Sequence, residues 1–340
     1  MSSQVNHAGS GDSADIFEVR NATKAYSSGM LKKSVTLAAD NVTWRITGAR
    51  PTITAVAGES GSGKTTLSLM LTGQVKPDAG QIFYRGEDIA TMPRERRKLM
   101  RREVQPIYQD PFSAYNPFYK VDHVLQMPVR HYGLARTKKE AEFIIHEALE
   151  TVGLRPAETL GRFPHQLSGG QRQRLMVARA VLCKPKLILA DEPVSMVDAS
   201  LRVTILTSLR RLNQELGISI VYITHDLTTA YQIAEDIAIM YAGSIVEAGP
   251  VDQVIRDPKH PYTQLLIASI PLPDKSKRWG GAVKDEASIA AAKRTTTGCR
   301  FAPRCPAAMD KCWSQKPPFY QTDPQRKAAC FLFEDGARKV

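Results

Sequence analysis

Apolar positions along the chain keep two different periods. Short runs at Ile16 to Val19, Val35 to Ala38, Val42 to Ile46 and Thr52 to Ala57 predict strands near the N-terminus, with Tyr26 in a loop between the first two. Further strands are expected at Gln81 to Tyr84, Val104 to Tyr108, Leu187 to Ala190 and Ile218 to Ile223, and a hairpin at Ile237 to Val246 turning about Ala242-Gly243. Between them the period lengthens to the helical one, at Thr66 to Leu71, Arg94 to Arg102, Leu201 to Leu216 and Leu227 to Ala234. Strands alternating with helices predict an α/β fold built on a parallel sheet. Residues 121–165 interrupt the alternation with helices at Val121 to Tyr132 and Lys138 to Val152. In the second of these, Phe143, Ile144, Ala148, Leu149 and Val152 are expected to share a face. From Pro271 the periods fade. The segment 273–298 reads as a linker, and the Ser/Gly-rich residues 1–14 as a disordered tail.

The strand ending at Ala57 runs into Gly58-Glu59-Ser60-Gly61-Ser62-Gly63-Lys64-Thr65-Thr66, which fits G-x-x-x-x-G-K-[ST] at every fixed position. A strand before it and a helix after it are the context this phosphate-cradling pattern requires. The glycines allow backbone N–H groups to face inward, and the helix start adds positive partial charge. Lys64 can reach the β- and γ-phosphates, and the Thr65 hydroxyl can ligate Mg²⁺. Phosphoryl chemistry further needs a metal-holding carboxylate and a polarised water. The strand Leu187 to Ala190 ends in Asp191-Glu192, giving Asp191 for the metal shell and Glu192 as general base. Further on, Ser168 is placed to cap a helix running from Gly169 to about Leu182.

With these motifs in order, the sequence resembles the ATP-binding-cassette (ABC) ATPases over residues 15 to about 255. Leu167-Ser168-Gly169-Gly170-Gln171-Arg172-Gln173-Arg174 reproduces the family signature. The resemblance implies a RecA-like parallel-sheet core, an N-terminal antiparallel β subdomain and an inserted helical subdomain at about 110–183. It also implies roles for single residues. Gln109 senses Mg²⁺ and the membrane partner, and Asp198 belongs to the loop after the catalytic glutamate. His225 is the switch histidine, and Tyr26 stacks on adenine. Gly58, Ser60, Gly61, Gly63, Lys64, Thr65 and Thr66 bind ATP in cis. Ser168, Gly169, Gly170 and Gln171 act on the ATP of an opposite cassette. The chain carries one set of motifs, so the second cassette is expected on another chain, which this subfamily often supplies as a paralogue. One departure is Ser195-Met196-Val197 where the family has Ser-Ala-Leu. The change is apolar for apolar, so the loop is expected to keep its role.

The C-terminal part, residues 256–340, is similar to the extension of oligopeptide/dipeptide-type importer ATPases in His260-Pro261-Tyr262-Thr263 and in Gly298 to Pro306. That likeness implies an ATPase powering a binding-protein-dependent importer of di- or oligopeptides, with nickel complexes or oligosaccharides as alternative cargo. It implies two transmembrane permease subunits and an extracytoplasmic solute-binding protein as partners, and a place on the cytoplasmic face of the membrane. Cassette proteins acting on DNA or ribosomes are the rival class, but they usually carry two cassettes or a long coiled-coil insertion.

Composition adds two points. The net charge of +12 includes +7 from residues 271–340, with a second basic cluster from Arg94 to Arg102. Neither is interleaved with aromatic residues, so no nucleic-acid partner is expected. Four of the five cysteines, Cys299, Cys305, Cys312 and Cys330, fall in the last 42 residues with spacing C-x5-C-x6-C-x17-C, while Cys183 lies alone in an apolar run. Four thiolates can close around zinc or an iron–sulfur cluster, and free structural thiols remain a third reading. The resemblance implies a four-iron, four-sulfur (4Fe–4S) cluster, with Zn²⁺ the alternative. A structural staple is the plainer role for it, and a redox sensor the rival one. No stretch of eighteen apolar residues and no signal-peptide pattern is present, so the chain is expected to stay in the cytoplasm.

Overall fold

The computed structural model describes residues 15–28, 34–110, 115–270, 297–336 and 338–340. The expected tail at 1–14 lies outside the described residues, as does most of the expected linker.

Strands β1 (Asp15–Ser28) and β2 (Ser34–Thr47) form a long antiparallel pair. The runs expected at 35–38 and 42–46 are one strand, which bends at Asn41 (φ 55) without ending. Tyr26, expected in a loop, lies on β1 opposite Thr36. Pairing with β2 carries β1 well past its apolar stretch, where periodicity alone stopped it. After β3 (Ile53–Ala57) and α1 (Lys64–Leu71), β4 (Ala79–Tyr84) and β5 (Glu87–Asp88) complete a sheet of order β2-β1-β4-β5. Helix α2 (Arg94–Glu103) then leads into β6 (Val104–Ile107).

The interruption of the α/β alternation is the helical unit α3 (Val121–Tyr132), α4 (Lys138–Thr151), α5 (Pro156–Thr159) and α6 (Gly169–Val181). On α4 the inward stripe is Ile145, Ala148 and Leu149, joined by Val152 just beyond the helix. Phe143, expected on that face, is 68% exposed. Positions 145, 148, 149 and 152 follow i, i+3, i+4, i+7, and 143 falls outside that arc.

The alternation resumes with β7 (Leu187–Asp191), α7 (Ala199–Leu216), β8 (Ser219–Thr224), α8 (Leu227–Ile233), β9 (Asp236–Tyr241) and β10 (Ser244–Pro250). Then come α9 (Val251–Arg256), α10 (Pro261–Ala268), α11 (Asp310–Ser314) and the short strands β11 (Tyr320–Asp323), β12 (Arg326–Ala328) and β13 (Arg338–Lys339). The large sheet has the order β13-β11-β12-β10-β9-β3-β8-β7-β6. Its centre, from β9 to β6, is parallel.

β7 and β8 are buried at every residue, as strands covered on both faces must be. Leu187 and Leu189 face the antiparallel sheet, while Ile188 and Ala190 face the helices of the opposite layer. Because the central strands are parallel, Ala57, Ile107, Asp191 and Thr224 all end at one edge of the sheet, where such folds bind ligands. Among the described residues, no helix is long and apolar enough to cross a membrane.

Candidate active site

The loop after β3 wraps tightly. Gly58 has φ 153, and a Cβ there would stand 2.1 Å from the Met240 carbonyl oxygen. At Gly63, with φ 103, it would stand 2.0 Å from that of Ala38. Only glycine fits either place. Gly63 starts α1, so the first N–H groups of that helix open into the loop. Lys64 is buried, and its Nζ donates to the carbonyls of Gly58 (2.7 Å) and Glu59 (2.9 Å). Burial pulls the Lys64 ammonium below the usual lysine range, against the pull of Glu192, Asp191 and Glu59. The Gly243 N–H supports the loop from below by donating to Ser62 O (2.8 Å). Ser60, Gly61 and Thr65 are exposed.

The neighbouring strands bring the acids. Asp191 ends β7, mostly buried, and its carboxyl is hydrogen-bonded by the Thr65 side chain. Burial raises its pKa, Thr65 and Lys64 lower it, and the adjacent Glu192 raises it; the net shift is upward. A buried carboxyl beside a second carboxyl and a hydroxyl gains from an added positive charge, so Asp191 and Thr65 fit a divalent cation. Glu192 is left-handed at φ 45, a conformation strained for a side-chain-bearing residue. Its N–H donates to Ile223 O (2.9 Å), which fixes the turn against β8. Its two carboxylate oxygens have separate partners. Gln109 Nε2 donates to Oε2 at 2.9 Å, and His225 Nδ1 lies 2.9 Å from Oε1.

The structure therefore gathers Gly58 to Thr66, Gln109, Asp191, Glu192 and His225 at one sheet edge. Ser168, Gly169, Gly170 and Gln171 have no hydrogen bond to that group among the described residues. They form the start of α6, where Ser168 Oγ accepts from Gln171 N (3.2 Å) and Gln171 Oε1 accepts from Ser168 N (2.9 Å). Asp198 caps α7, with Oδ1 accepting from Leu201 N (2.9 Å). Leu201 in turn packs against Gly170, where a Cβ would meet its Cδ1 at 2.7 Å. Among the described residues outside its own turn of helix, none lies within 4 Å of a Cβ built at Gly169. Tyr26 is 42% exposed on β1, with Lys24 Nζ 5.8 Å from its ring.

Several residues of the C-terminal part reach this region, among them Tyr262, Arg300 and Arg304 of the two motifs that mark the extension, whose contacts here no motif announced. Tyr262 is fully buried, and its Oη accepts from Glu59 N (2.9 Å). Arg304 holds both carboxylate oxygens of Glu59 at 3.0 Å. On β2 the buried Asp40 pairs with Arg300 (2.7 Å) and Lys316 (2.7 Å). Such partners, more than 200 residues apart in sequence, leave no local signal.

All four C-terminal cysteines line one apolar-walled cavity, together with His260, Phe301, Met309 and Phe331. Among the described residues, no three His, Cys, Asp or Glu side chains are placed to hold a single metal ion. Burial pushes up the thiols of Cys299, Cys305 and Cys330, the last to about 11. Cys183 is buried elsewhere, as expected of a small apolar side chain.

The sheet edge and its residues define a nucleotide-hydrolysing cassette. Residues 40–195 match the family described as ABC transporter, and residues 246–312 match the oligopeptide/dipeptide transporter C-terminal region. The dipeptide transport ATP-binding protein DppF of Haemophilus influenzae is 36% identical over 82% of this chain and 84% of its own length. YkfD of Bacillus subtilis is 35% identical over 91% of this chain and 93% of its own. The solved dimeric cassette MJ0796 bound to ADP and Pi superposes with a TM-score of 0.61 at 26% identity, covering 69% of this chain and 98% of that one. The chain belongs to the ATP-binding subunits of ABC transporters, and its activity is ATP hydrolysis.

Proposed function

We propose that this chain is the ATPase of a binding-protein-dependent importer of di- or oligopeptides, bound at the cytoplasmic face of the membrane. Two permease subunits, a second cassette and an extracytoplasmic solute-binding protein complete it. The observation that carries the reading is the convergence of the phosphate loop, Asp191, Glu192, Gln109 and His225 at one sheet edge in a chain that also bears the oligopeptide/dipeptide-type C-terminal region. Residues 15–255 form the cassette, with a helical subdomain at about 110–183, and residues 256–340 the extension.

In this reading Lys64, Ser60, Gly61, Gly63 and Thr66 bind the phosphates, and Tyr26 stacks on the base. Thr65 and Asp191, with Gln109, hold Mg²⁺, which offsets phosphate charge. Glu192 takes the proton of the attacking water, and His225 and Gln109 hold its carboxylate in line. Ser168 to Gln171 and Asp198 serve the partner cassette. Gly169 supports this: among the described residues outside its own turn of helix, none crowds that position, so the want of a side chain there suits an approach from outside. Uptake of a labelled di- or tripeptide by membranes carrying the assembled complex tests the cargo. ATP-dependent uptake of a nickel chelate or an oligosaccharide, with no peptide uptake, would reassign it.

Cys299, Cys305, Cys312 and Cys330 are the proposed ligands of a 4Fe–4S cluster. The four cysteines line one apolar-walled cavity, and four thiolates around one site are the donor set such a cluster takes. The cluster's contribution is a cross-link among four points of a small, core-poor extension. Anaerobically purified complex should be brown, with about four iron atoms per chain; colourless protein with one zinc per chain would reverse the assignment.

A further inference from the structure

The C-terminal extension meets the phosphate loop at Glu59, and it holds that residue from two sides. The Arg304 guanidinium forks onto the carboxylate, with both N–H···O contacts at 3.0 Å. The Tyr262 hydroxyl takes the backbone N–H at 2.9 Å. Both holders are themselves braced. The Tyr262 ring packs on Tyr241 with centroids 4.5 Å apart and on Phe301 at 5.6 Å. The Arg304 guanidinium stands 5.7 Å from the ring centroids of Tyr241 and of Phe301.

Arg304 is not on a free loop. Ala302 N donates to Cys299 O at 3.0 Å, Arg304 N to Phe301 O at 2.9 Å and Cys305 N to Ala302 O at 3.2 Å. The turn that carries the guanidinium is thus part of the wall of the cysteine cavity. At the other end, the Glu59 carbonyl accepts from Lys64 Nζ at 2.9 Å and from Ser62 N at 3.1 Å. Displacing Glu59 therefore displaces the lysine and the loop N–H groups that receive phosphate.

We propose that Arg304 is a positioning residue for ATP binding. By gripping Glu59 it holds the phosphate loop in register with the wall of the cysteine cavity. A bidentate, charge-assisted contact of this kind restricts geometry as well as adding attraction. Arg304 touches no reacting atom, so its effect falls on nucleotide affinity and leaves the hydrolytic step alone.

The test is steady-state ATPase of the assembled complex carrying Arg304→Ala, Arg304→Lys, Glu59→Ala and the Arg304→Ala/Glu59→Ala pair. Arg304→Ala should raise KM for ATP about fivefold, with kcat within about twofold of the parent, and Glu59→Ala, which alters the loop itself, should raise KM at least as much. The double variant should be no worse than Glu59→Ala alone, because both changes remove the same contact. Arg304→Lys, which keeps the charge without the fork, should recover part of the affinity. Unchanged KM in both single variants, or effects that multiply in the double, would overturn the proposal. Should Arg304→Ala fail to assemble, Glu59→Ala reads the same contact from the loop side, and an unchanged KM there is enough to reject it.

Discussion

His225 Nδ1 lies 2.9 Å from Glu192 Oε1, and this contact joins the loop after β8 to the end of β7. The other carboxylate oxygen is taken by Gln109 Nε2, so neither oxygen is free to turn. Replacing Glu192 with Gln removes the base and keeps the shape. Turnover is expected to fall about a hundredfold to ten-thousandfold while MgATP binding persists. Single-turnover hydrolysis beside equilibrium nucleotide binding checks this; a Glu192→Gln enzyme with near-parent turnover would disqualify Glu192 as the base.

His260 supplies a pH dependence. It is buried, its Nδ1 accepts from Tyr262 N (3.0 Å), and burial lowers its pKa to about 3. In the unfolded chain it takes up a proton near pH 6.5. Between those values the unfolded state binds the extra proton, so folding stability falls as the pH drops through that window and is fully present above it. Melting temperature against pH should slope down from about pH 6.5. The slope between pH 6.5 and 4.5 should flatten in His260→Asn. An equal slope in both proteins would assign it to other groups.

Asp40 is buried on β2 between Arg300 and Lys316. Burial alone would raise its carboxyl, but the two cations hold it below the usual carboxylate range. Its contribution to stability is present above the unfolded aspartate value of about 3.9 and is lost as the pH falls below that. Asp40→Asn leaves Arg300 buried without its charge partner, at a cost of about 3 kcal/mol. Calorimetry should show the loss as a lowered Tm. Lys316→Ala should cost much less, since Lys316 is half-exposed and can be replaced by water.

Gly169 and Gly170 should separate folding from assembly. Ala at 170 meets the end of the half-buried Leu201 side chain at 2.7 Å, which must rotate away, and should destabilise the isolated chain by up to about 1 kcal/mol. Ala at 169 meets none of the described residues beyond its own turn of helix, so Tm should hold while ATP-driven closure against the second cassette weakens. Analytical ultracentrifugation of the cassette pair with ATP in the Glu192→Gln background reads the second effect. A Gly169→Ala chain that closes normally would remove Gly169 from the interface.

Much of this site is legible in sequence because phosphate binding is local. Gly58 to Thr66 carries its cradle, its cation and its metal ligand in nine consecutive residues, and Asp191-Glu192 sits where a buried strand ends. The capping of α6 by Ser168 and Gln171 is equally local. Tyr26 was less so, because its strand exists through pairing with Thr36 rather than through its own apolar period. On α4, Phe143 departs from the expected face, because a large apolar side chain stands out of the arc that packs. Arg304–Glu59 and Arg300–Asp40 could not be read at all. Each joins an ordinary-looking charge to another across more than 200 residues, and only the folded chain brings them together.

The pairing of β12 with β10 bears on how the chain can be shortened. Glu247 and Ala248 on β10 pair with Ala328 and Lys327, and Ala329 N donates to Val246 O at 2.8 Å. A chain ending after α10 would turn β10 into an open edge, with Ile245 and Val246 beside unpaired backbone groups. Such an edge invites pairing with another molecule. During synthesis the same edge stays open until β12 has left the ribosome, so β10 waits for a partner made long after it.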